Sequence, residues 1–217
     1  MIGPALALSL LVSALATAVV ALAGTASGRL VARSRFRGRE IADALCHLPL
    51  VLPPTVVGYG LLLVFGRYGW IGGTLRAVTG FSIPFTWVAC VLAAAVMAFP
   101  MMHRAARAAF EGIDRRHEMA AASLGASRLR SFLTVELPLA RRGLTAGVTL
   151  AYARALGEFG ATLILAGNIP GRTQTLALAV YESVIAGEHN TALVLSVMLS
   201  LVSVAALLLV ARLSRAS

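Results

Sequence analysis

An arginine and a glutamate, Arg154 and Glu158, stand four residues apart inside a stretch of the 217-residue chain that is otherwise apolar. On a helix this spacing places both side chains on one face, close enough to form an ion pair. Either charge alone would cost at least about 2.5–3.5 kcal/mol near the centre of a bilayer, so we expect both to face the protein interior and to pair. Two roles are open: a structural ion pair, or a charged element that lines or gates a transport path.

Prolines interrupt another apolar stretch, at Pro49, Pro53 and Pro54. Each proline removes a backbone donor and disrupts a helical hydrogen bond. In lipid such a break persists only where neighbouring helices or a water-filled path satisfy the freed carbonyls, so this stretch is either a kinked core helix or a kinked helix that lines a path. The residues predicted to form or gate a path are Pro53, Pro54, Thr55, Arg154, Gly157, Glu158 and Gly160.

Residues 114–138 form a polar, arginine-bearing segment between two apolar stretches. Asp114 is a typical N-cap for a helix over about 115–124, and Glu118 falls in the first turn, where negative charge suits the helix dipole. Gly125 suits the left-handed position that lets the chain reverse after such a helix. The alanines of this helix would let another surface approach its backbone closely.

A second short helix is predicted over 128–137, with Ser127 as its N-cap and Pro138 as the residue that stops it. Its apolar residues are expected to share one face: Leu129, Phe132 and Leu133. Two short helices in one connection indicate a docking surface for a partner protein. The alternative is an ordinary amphipathic loop.

The composition indicates whether these residues lie in a soluble or a membrane protein. The chain is 59% hydrophobic and 13% charged, with a mean hydropathy of +0.85, whereas soluble domains carry about 25% charged residues. The sequence therefore predicts an all-α, polytopic membrane protein with a single domain over 1–217. The first span is expected to remain attached as a signal anchor. Five stretches are long enough to cross a bilayer: 4–26, 47–65, 85–102, 143–165 and 191–211.

The arginines indicate how the chain is oriented in the membrane. Nineteen basic residues, all arginine, give a net charge of +10. Fifteen of them lie in the first and third connections and the C-terminal tail, and three lie in the second and fourth connections. The positive-inside rule then places the N-terminus outside and the C-terminus in the cytoplasm. A nucleic-acid-binding protein would instead gather its arginines on one water-exposed face.

Other motifs predict no catalysis by this chain. The glycines at 72 and 73 lack the GxxxxGK[ST] pattern of a nucleotide-binding loop. Cys46 and Cys90 lie in apolar surroundings without metal-ligand spacing. We therefore predict a non-enzymatic protein that binds no metal and no cofactor. Segment 175–187 is too short for a sixth span and is predicted to be a re-entrant or interfacial helix.

The polar segment resembles the hallmark of the membrane subunits of bacterial ABC importers. That hallmark reads Glu-Ala-Ala, three residues, Gly, nine residues, an aliphatic residue, one residue, Leu-Pro. The chain matches it with Ala120-Ala121, Gly125, Val135 and Leu137-Pro138, but Met119 stands at the glutamate position and the acid lies one residue earlier. In the family this loop is a coupling helix that sits in a cleft of the ATP-hydrolysing subunit. The coupling residues implied here are Glu118, Met119, Ala120, Ala121, Gly125, Ala126, Phe132, Leu137 and Pro138.

Three further blocks, over 47–59, 153–162 and 167–175, look like those of molybdate-importer permeases. With the loop they cover nearly the whole chain. Sulfate and tungstate permeases carry similar blocks, so they remain the alternatives for the substrate.

The resemblance implies an importer of the bacterial inner membrane. It implies a homodimer with the path at the two-fold axis, two copies of an ABC ATPase subunit that bind ATP and magnesium, and an extracytoplasmic oxyanion-binding protein. Asn168 and Arg172 in the fourth connection would lie near the dock of that binding protein, unless this loop is a plain surface turn. The spans lack an arginine or histidine cluster that would bind a divalent oxyanion tightly, so selection is expected in the binding protein.

Two rival classes can be compared with this interpretation. A secondary transporter or channel would need ionisable residues on several spans, and often inverted repeats, but only the fourth span has such residues. A purely structural scaffold leaves the two-helix segment unexplained.

Overall fold

The computed structural model describes residues 2–34 and 36–216, and within them the chain is helical and contains no strand. A π-helical turn, Phe132–Glu136, joins α7 to α8. The α-helices are α1 Ile2–Arg33, α2 Arg39–Val51, α3 Pro54–Phe65, α4 Trp70–Thr79, α5 Trp87–Glu111, α6 Arg115–Ser123, α7 Arg128–Ser131, α8 Leu137–Leu156, α9 Gly160–Ala166, α10 Leu176–Ile185 and α11 His189–Ala216.

Among the described residues, three helices are long and apolar enough to cross a membrane on their own: α1, α5 and α11. Two further crossings are possible if each of two bent helix pairs counts as one span. The pairs are α2 with α3, and the continuous helix Arg128–Leu156 with α9, and they raise the number of crossings to as many as five. That number matches the five predicted spans, although several helices are longer than predicted. At 1.5 Å per residue, the 32 residues of α1 measure about 48 Å, so this helix extends well beyond about 30 Å of hydrocarbon.

The core is a bundle of α1, α5 and α8 in which small residues allow close contact. A β-carbon at Gly28 of α1 would lie 2.7 Å from the backbone nitrogen of Arg107 on α5. A β-carbon at Gly147 of α8 would lie 2.7 Å from Cβ of Ala105, also on α5. In membranes such small residues let helices pack backbone to backbone, and dispersion contacts hold them there.

The second span is broken rather than kinked. The single stretch predicted over 47–65 contains the end of α2 and the whole of α3, and the two helices are bent by 113°. Leu52 is extended (φ −74°, ψ 144°) because a residue before proline is disfavoured in the helical region. The chain then restarts α3 at Pro54, where a missing N–H costs nothing.

The predicted fourth span, 143–165, is also two helices. The helix through α8 ends at Leu156 and α9 begins at Gly160, with a bend of 58° between them. The carboxylate of Glu158 accepts a hydrogen bond from the Ala161 nitrogen at 2.8 Å and so caps the start of α9. A charged side chain in this span therefore satisfies backbone that the break leaves free.

The predicted end of the second loop helix is wrong. Pro138 does not stop it, because the chain passes from α7 through the π turn directly into α8. Leu137 donates its backbone N–H to the Phe132 carbonyl, five residues back. This wider turn shifts the hydrogen-bond register ahead of Pro138, which takes an N-terminal position of α8 where its missing N–H is tolerated.

Segment 175–187 contains the ten-residue helix α10, about 15 Å long and so too short to cross a bilayer. Leu176 at its start is fully buried and donates its backbone N–H to Ser9 Oγ of α1 at 2.7 Å. The start of this helix therefore lies against the N-terminal part of α1, and its re-entrant or interfacial position stays a prediction.

Candidate functional site

The first loop helix, α6, is built by local capping as predicted. Asp114 accepts a hydrogen bond from the Arg116 nitrogen at 2.9 Å. At the other end Gly125 has φ +77°, its nitrogen bonds the Ala122 carbonyl, and the nitrogen of Ala126 bonds the Ala121 carbonyl. These two bonds are the Schellman arrangement that closes a helix with a left-handed glycine.

The loop presents an open groove between α6 and the helix that follows it. Small side chains of α6 form one wall, and the exposed side chain of Leu124 (89%) stands at its end. Met119, at the glutamate position of the family hallmark, points outward and is 59% exposed. The lining residues are His117, Ala120, Ala121, Leu124, Ala126, Arg130, Thr134 and Val135.

The predicted apolar face of the second loop helix is divided. Leu129 and Leu133 are exposed, whereas Phe132 turns inward. Its ring lies 6.3 Å from the Phe110 ring of α5 and under the Arg29 guanidinium at 4.6 Å. Phe132 therefore holds the loop on the bundle, and of this predicted face Leu129 and Leu133 are exposed for a partner.

A bidentate ion pair, which the sequence did not predict, holds the end of the loop. Arg29 of α1 donates through Nε and Nη2 to the two carboxylate oxygens of Glu136, each at 2.8 Å. The Glu136 side chain is only 3% exposed, so removing Arg29 would leave a buried carboxylate without its bidentate partner. In the sequence, the arginine indicates only membrane orientation, and the acid between Val135 and Leu137 is an unspecified position of the family hallmark.

Arg33, one turn further along α1, holds the start of the loop. Its Nη2 lies 2.7 Å from Glu118 Oε1 and donates to the Ile113 carbonyl at 3.3 Å. Its Nε is also 3.9 Å from Glu136 Oε2. The displaced acid of the hallmark, Glu118, is thus engaged within the chain.

The predicted path residues come together where the two broken spans cross. Arg154 Nη1 lies 2.7 Å from Glu158 Oε2, so the predicted pairing is present. Glu158 is buried, whereas Pro53, Pro54 and Thr55 are exposed on the surface of the single chain. The role of the pair, structural or gating, stays a prediction.

The loop and the crossing spans can be compared with known proteins. A family model described as the inner membrane component of binding-protein-dependent transport systems matches residues 21–217. The chain belongs to this family. The resemblance inferred from the loop spacing is therefore confirmed, and the chain is a permease of this type, with several membrane-crossing helices.

Curated relatives of the permease are similar over most of their length. The chain is 46% identical over 215 residues to the molybdenum transport system permease protein ModB of Escherichia coli K12, covering 97% of this chain and 94% of that protein. It is 41% identical over 199 residues to ModB of Mycobacterium tuberculosis, covering 92% and 75%.

Solved structures support the fold of the permease. A bacterial ABC transporter that imports the polysaccharide alginate aligns with a TM-score of 0.77 at 14% identity, covering 98% of this chain and 78% of that one. The inward-facing MetNI methionine ABC transporter aligns with a TM-score of 0.72 at 17% identity, covering 99% and 93%. At such low identities these likenesses concern the fold alone, and they confirm the predicted ABC-importer permease fold.

Loop 167–175 of the permease, predicted to face outward and called the outward loop below, gives the two predicted dock residues different environments. Asn168 Nδ2 donates to Glu182 Oε2 at 2.9 Å, and Gln174 donates to the same oxygen. Thr173, fully buried, accepts from the Ile169 nitrogen at 3.0 Å and closes the turn. Asn168 therefore has a role in folding the loop, whereas Arg172 is exposed. Their part in docking stays a prediction.

A buried polar cluster joins α1, α2 and α5 of the permease. His103, fully buried on α5, contacts Ser27 Oγ at 2.9 Å and Asp43 Oδ1 at 3.0 Å. Asp43, His47 and His103 are close enough to suggest a metal site. However, Arg107 Nη1 lies 2.5 Å from Asp43 Oδ2, and its charge repels a cation. We assign the cluster to helix packing.

Proposed function

We propose that this chain is the membrane-spanning subunit of an ATP-driven ABC importer that carries molybdate. The observation that carries the proposal is the loop 114–138, which presents a capped short helix and an open groove partly lined by alanines at one end of the bundle. A rigid, shallow surface of this kind fits a cleft in a partner. Ala120 and Ala121, which α6 contributes to the groove, have no rotatable side chain, so little conformational entropy is lost where they dock.

The loop is proposed to dock on an ABC ATPase subunit, and two chains with two ATPase subunits would form the transporter. ATP and magnesium belong to the ATPase subunits, and the permease is a non-catalytic transport subunit. ATP-driven closure would draw the two loops together and open the path outward, and hydrolysis would restore the inward-facing state. Each state is favoured by its own contacts, as alternating access requires.

The arginine distribution supports an orientation with the loop in the cytoplasm, the N-terminus outside and the C-terminus inside. The outward loop with Arg172 would then face an extracytoplasmic binding protein. Exposed residues at the crossing of the broken spans, Pro53 to Thr55, would face the two-fold axis between the copies. These prolines and this threonine are exposed in the single chain, and this supports a role in lining the path.

Molybdate is favoured as the substrate by similarity to molybdenum permeases over nearly the full chain. Tungstate and sulfate remain the alternatives to be tested. The charged pair in the fourth span is net neutral, so it offers a dianion no strong binding site. A weak site in the path suits release of the cargo, and selection would lie with the binding protein. A secondary transporter is disfavoured because it leaves the docking loop unexplained.

The test is uptake by the full complex in proteoliposomes, with the binding protein and radiolabelled molybdate. ATP should drive uptake, and tungstate should compete more strongly than sulfate. Ala121→Arg places a charge in the groove and should reduce ATPase binding and uptake by at least about tenfold. The matched control, Ala122→Arg, alters the neighbouring exposed alanine outside the groove lining and should retain both. Uptake that continues without ATP or with Ala121→Arg would exclude the proposal.

A further inference from the structure

Four charged side chains connect the last turns of α1 to both ends of the loop 114–138. We call this set the α1 clamp: Arg29, Arg33, Glu118 and Glu136. Arg29 and Glu136 are 107 residues apart in sequence, so the clamp is a tertiary contact and not part of the loop itself. The loop is thus attached to three helices. The polypeptide chain connects it to α5 and α8, and the ion pairs of the clamp connect it to α1.

The clamp differs from an ordinary surface ion pair. Both oxygens of the buried Glu136 carboxylate are occupied by one guanidinium, and this geometry fixes orientation as well as distance. The Phe132 ring covers the same guanidinium at 4.6 Å. By contrast, the Arg39–Glu111 pair between α2 and α5 has a similar 2.7 Å spacing, but its carboxylate side chain is 39% exposed, against 3% for Glu136.

The far end of α1 is attached in its turn to the outward side. Ser9 Oγ accepts the backbone N–H of Leu176 at 2.7 Å, in a buried contact at the start of α10. Leu176 directly follows the outward loop, whose buried Thr173 closes the turn. This contact and the clamp lie near opposite ends of one 32-residue helix, α1. One helix therefore contacts the docking loop at one end and, at the other end, the residue that directly follows the outward loop.

We propose that α1 is a strut that couples the ATPase-docking loop to the outward loop, with the α1 clamp as its cytoplasmic joint and Ser9–Leu176 as its outer joint. This inference rests on the proposed function, because it assigns the route by which that function links its two sides. Arg29 acts here as a positioning residue. Coupling between distant sites travels through rigid elements of this kind when both sites bias the same element.

The first test measures whether the loop and α1 move together. Spin labels go on exposed positions outside the clamp, Leu30→Cys on α1 and Ser123→Cys on α6, in a chain whose Cys46 and Cys90 are replaced by alanine. The doubly labelled chain is diluted with unlabelled chains in the full complex, and a second sample in which both copies carry only the label at 123 gives the distance between the copies. Between ATP-free and ATP-trapped states the distance from 30 to 123 should change by less than about 2 Å, while labels at 123 on the two copies move further.

The outcomes separate the two proposals. One outcome is that ATP changes both the distance between the labels at 123 on the two copies and, by as much, the distance from 30 to 123 within one chain. In that case the strut is overturned and the importer proposal stands. If the two copies do not respond to ATP at all, the importer proposal fails and the strut fails with it. Because both labels lie outside the clamp, this measurement does not depend on the folding of a clamp variant.

The second test breaks each joint and measures the ATP hydrolysed per molybdate imported. Arg29→Gln should raise this ratio about three- to tenfold, and the exchange of Arg29→Glu with Glu136→Arg should lower it again. Arg39→Gln, which breaks the exposed pair with Glu111, should leave the ratio unchanged. A ratio that rises equally in Arg39→Gln, or that stays at the wild-type value in Arg29→Gln, would overturn the strut.

The outer joint is tested by substituting two serines of α1, one in the joint and one outside it. Ser9→Ala removes the acceptor for Leu176 and should raise the same ratio. Ser13→Ala removes a hydroxyl that donates to the Leu10 carbonyl within α1 and should not. Equal effects of the two substitutions would argue that α1 merely packs against α10.

Discussion

Gly160 lies against Pro54 so closely that a β-carbon at position 160 would stand 2.9 Å from the Cβ of Pro54. The two broken spans therefore meet at their breaks, and α3 rests on α9. A similar close approach occurs one turn along α3, where a β-carbon at Gly58 would lie 2.8 Å from the Cα of Ala161. Contact between the spans depends on these missing side chains.

Gly160→Ala should therefore destabilise the permease by about 1–3 kcal/mol, because neither a proline ring nor backbone can yield easily. The measurement is thermal unfolding of the purified protein in detergent. Gly60→Ala is the control, since nothing lies within 4 Å of a β-carbon there. Equal stability of the two variants would contradict the close packing of α3 on α9.

Removing Arg154 alone should destabilise the fold more than removing both partners of its ion pair. Arg154→Gln leaves the buried Glu158 carboxylate uncompensated, at a cost of about 3–5 kcal/mol, and adding Glu158→Gln should recover most of it. Unfolding of the single and double variants measures this cycle. Uptake by the double variant then decides the role: normal uptake indicates a structural pair, and lost uptake with restored stability indicates a gate.

Gly125→Ala should weaken binding of the ATPase subunit. The left-handed backbone at φ +77° costs an alanine about 1 kcal/mol, so the reversal after α6 is disfavoured. Gly125→Asn should bind better than the alanine variant, because asparagine tolerates this conformation. Affinity for the purified ATPase subunit is the measurement, and the reverse order of the two variants would be inconsistent with the capped-helix description.

Arg172→Glu should reduce stimulation of the complex by its binding protein. A reversed charge at the edge of an interface mainly slows association, and we expect the concentration for half-maximal stimulation to rise about three- to tenfold at low salt. Arg67→Glu is the control, an exposed arginine on the same predicted side. A matching loss in both variants would point to general surface charge rather than to a dock at the outward loop.

Loop boundaries were predictable because capping is local chemistry. Asp114 and Ser127 each bond a backbone nitrogen two or three residues away, and Gly125 acts within one turn. Pro138 was not predictable in the same way. Whether Pro138 ends the helix depends on the π turn that precedes it, and no single residue type predicts such a turn.

The clamp lay beyond sequence reasoning for a different reason. Arg29 and Glu136 are brought together only when α1 packs on α5 and α8, and the pattern within either segment says nothing about that packing. The break of the second span was foreseen as a kink from its prolines. The break of the fourth span is not predictable from Gly157 and Gly160, because glycine is also common inside unbroken membrane helices.

The helix that leaves the loop runs without interruption from Arg128 to Leu156. At 1.5 Å per residue it is a rod of about 43 Å, with the docking loop at one end and Arg154 near the other. The chain enters the loop through a bend at Gly112 and Ile113 instead. The loop therefore has a hinge on one side and a lever arm on the other. A tilt of that arm about its middle displaces the groove and the ion pair in opposite directions.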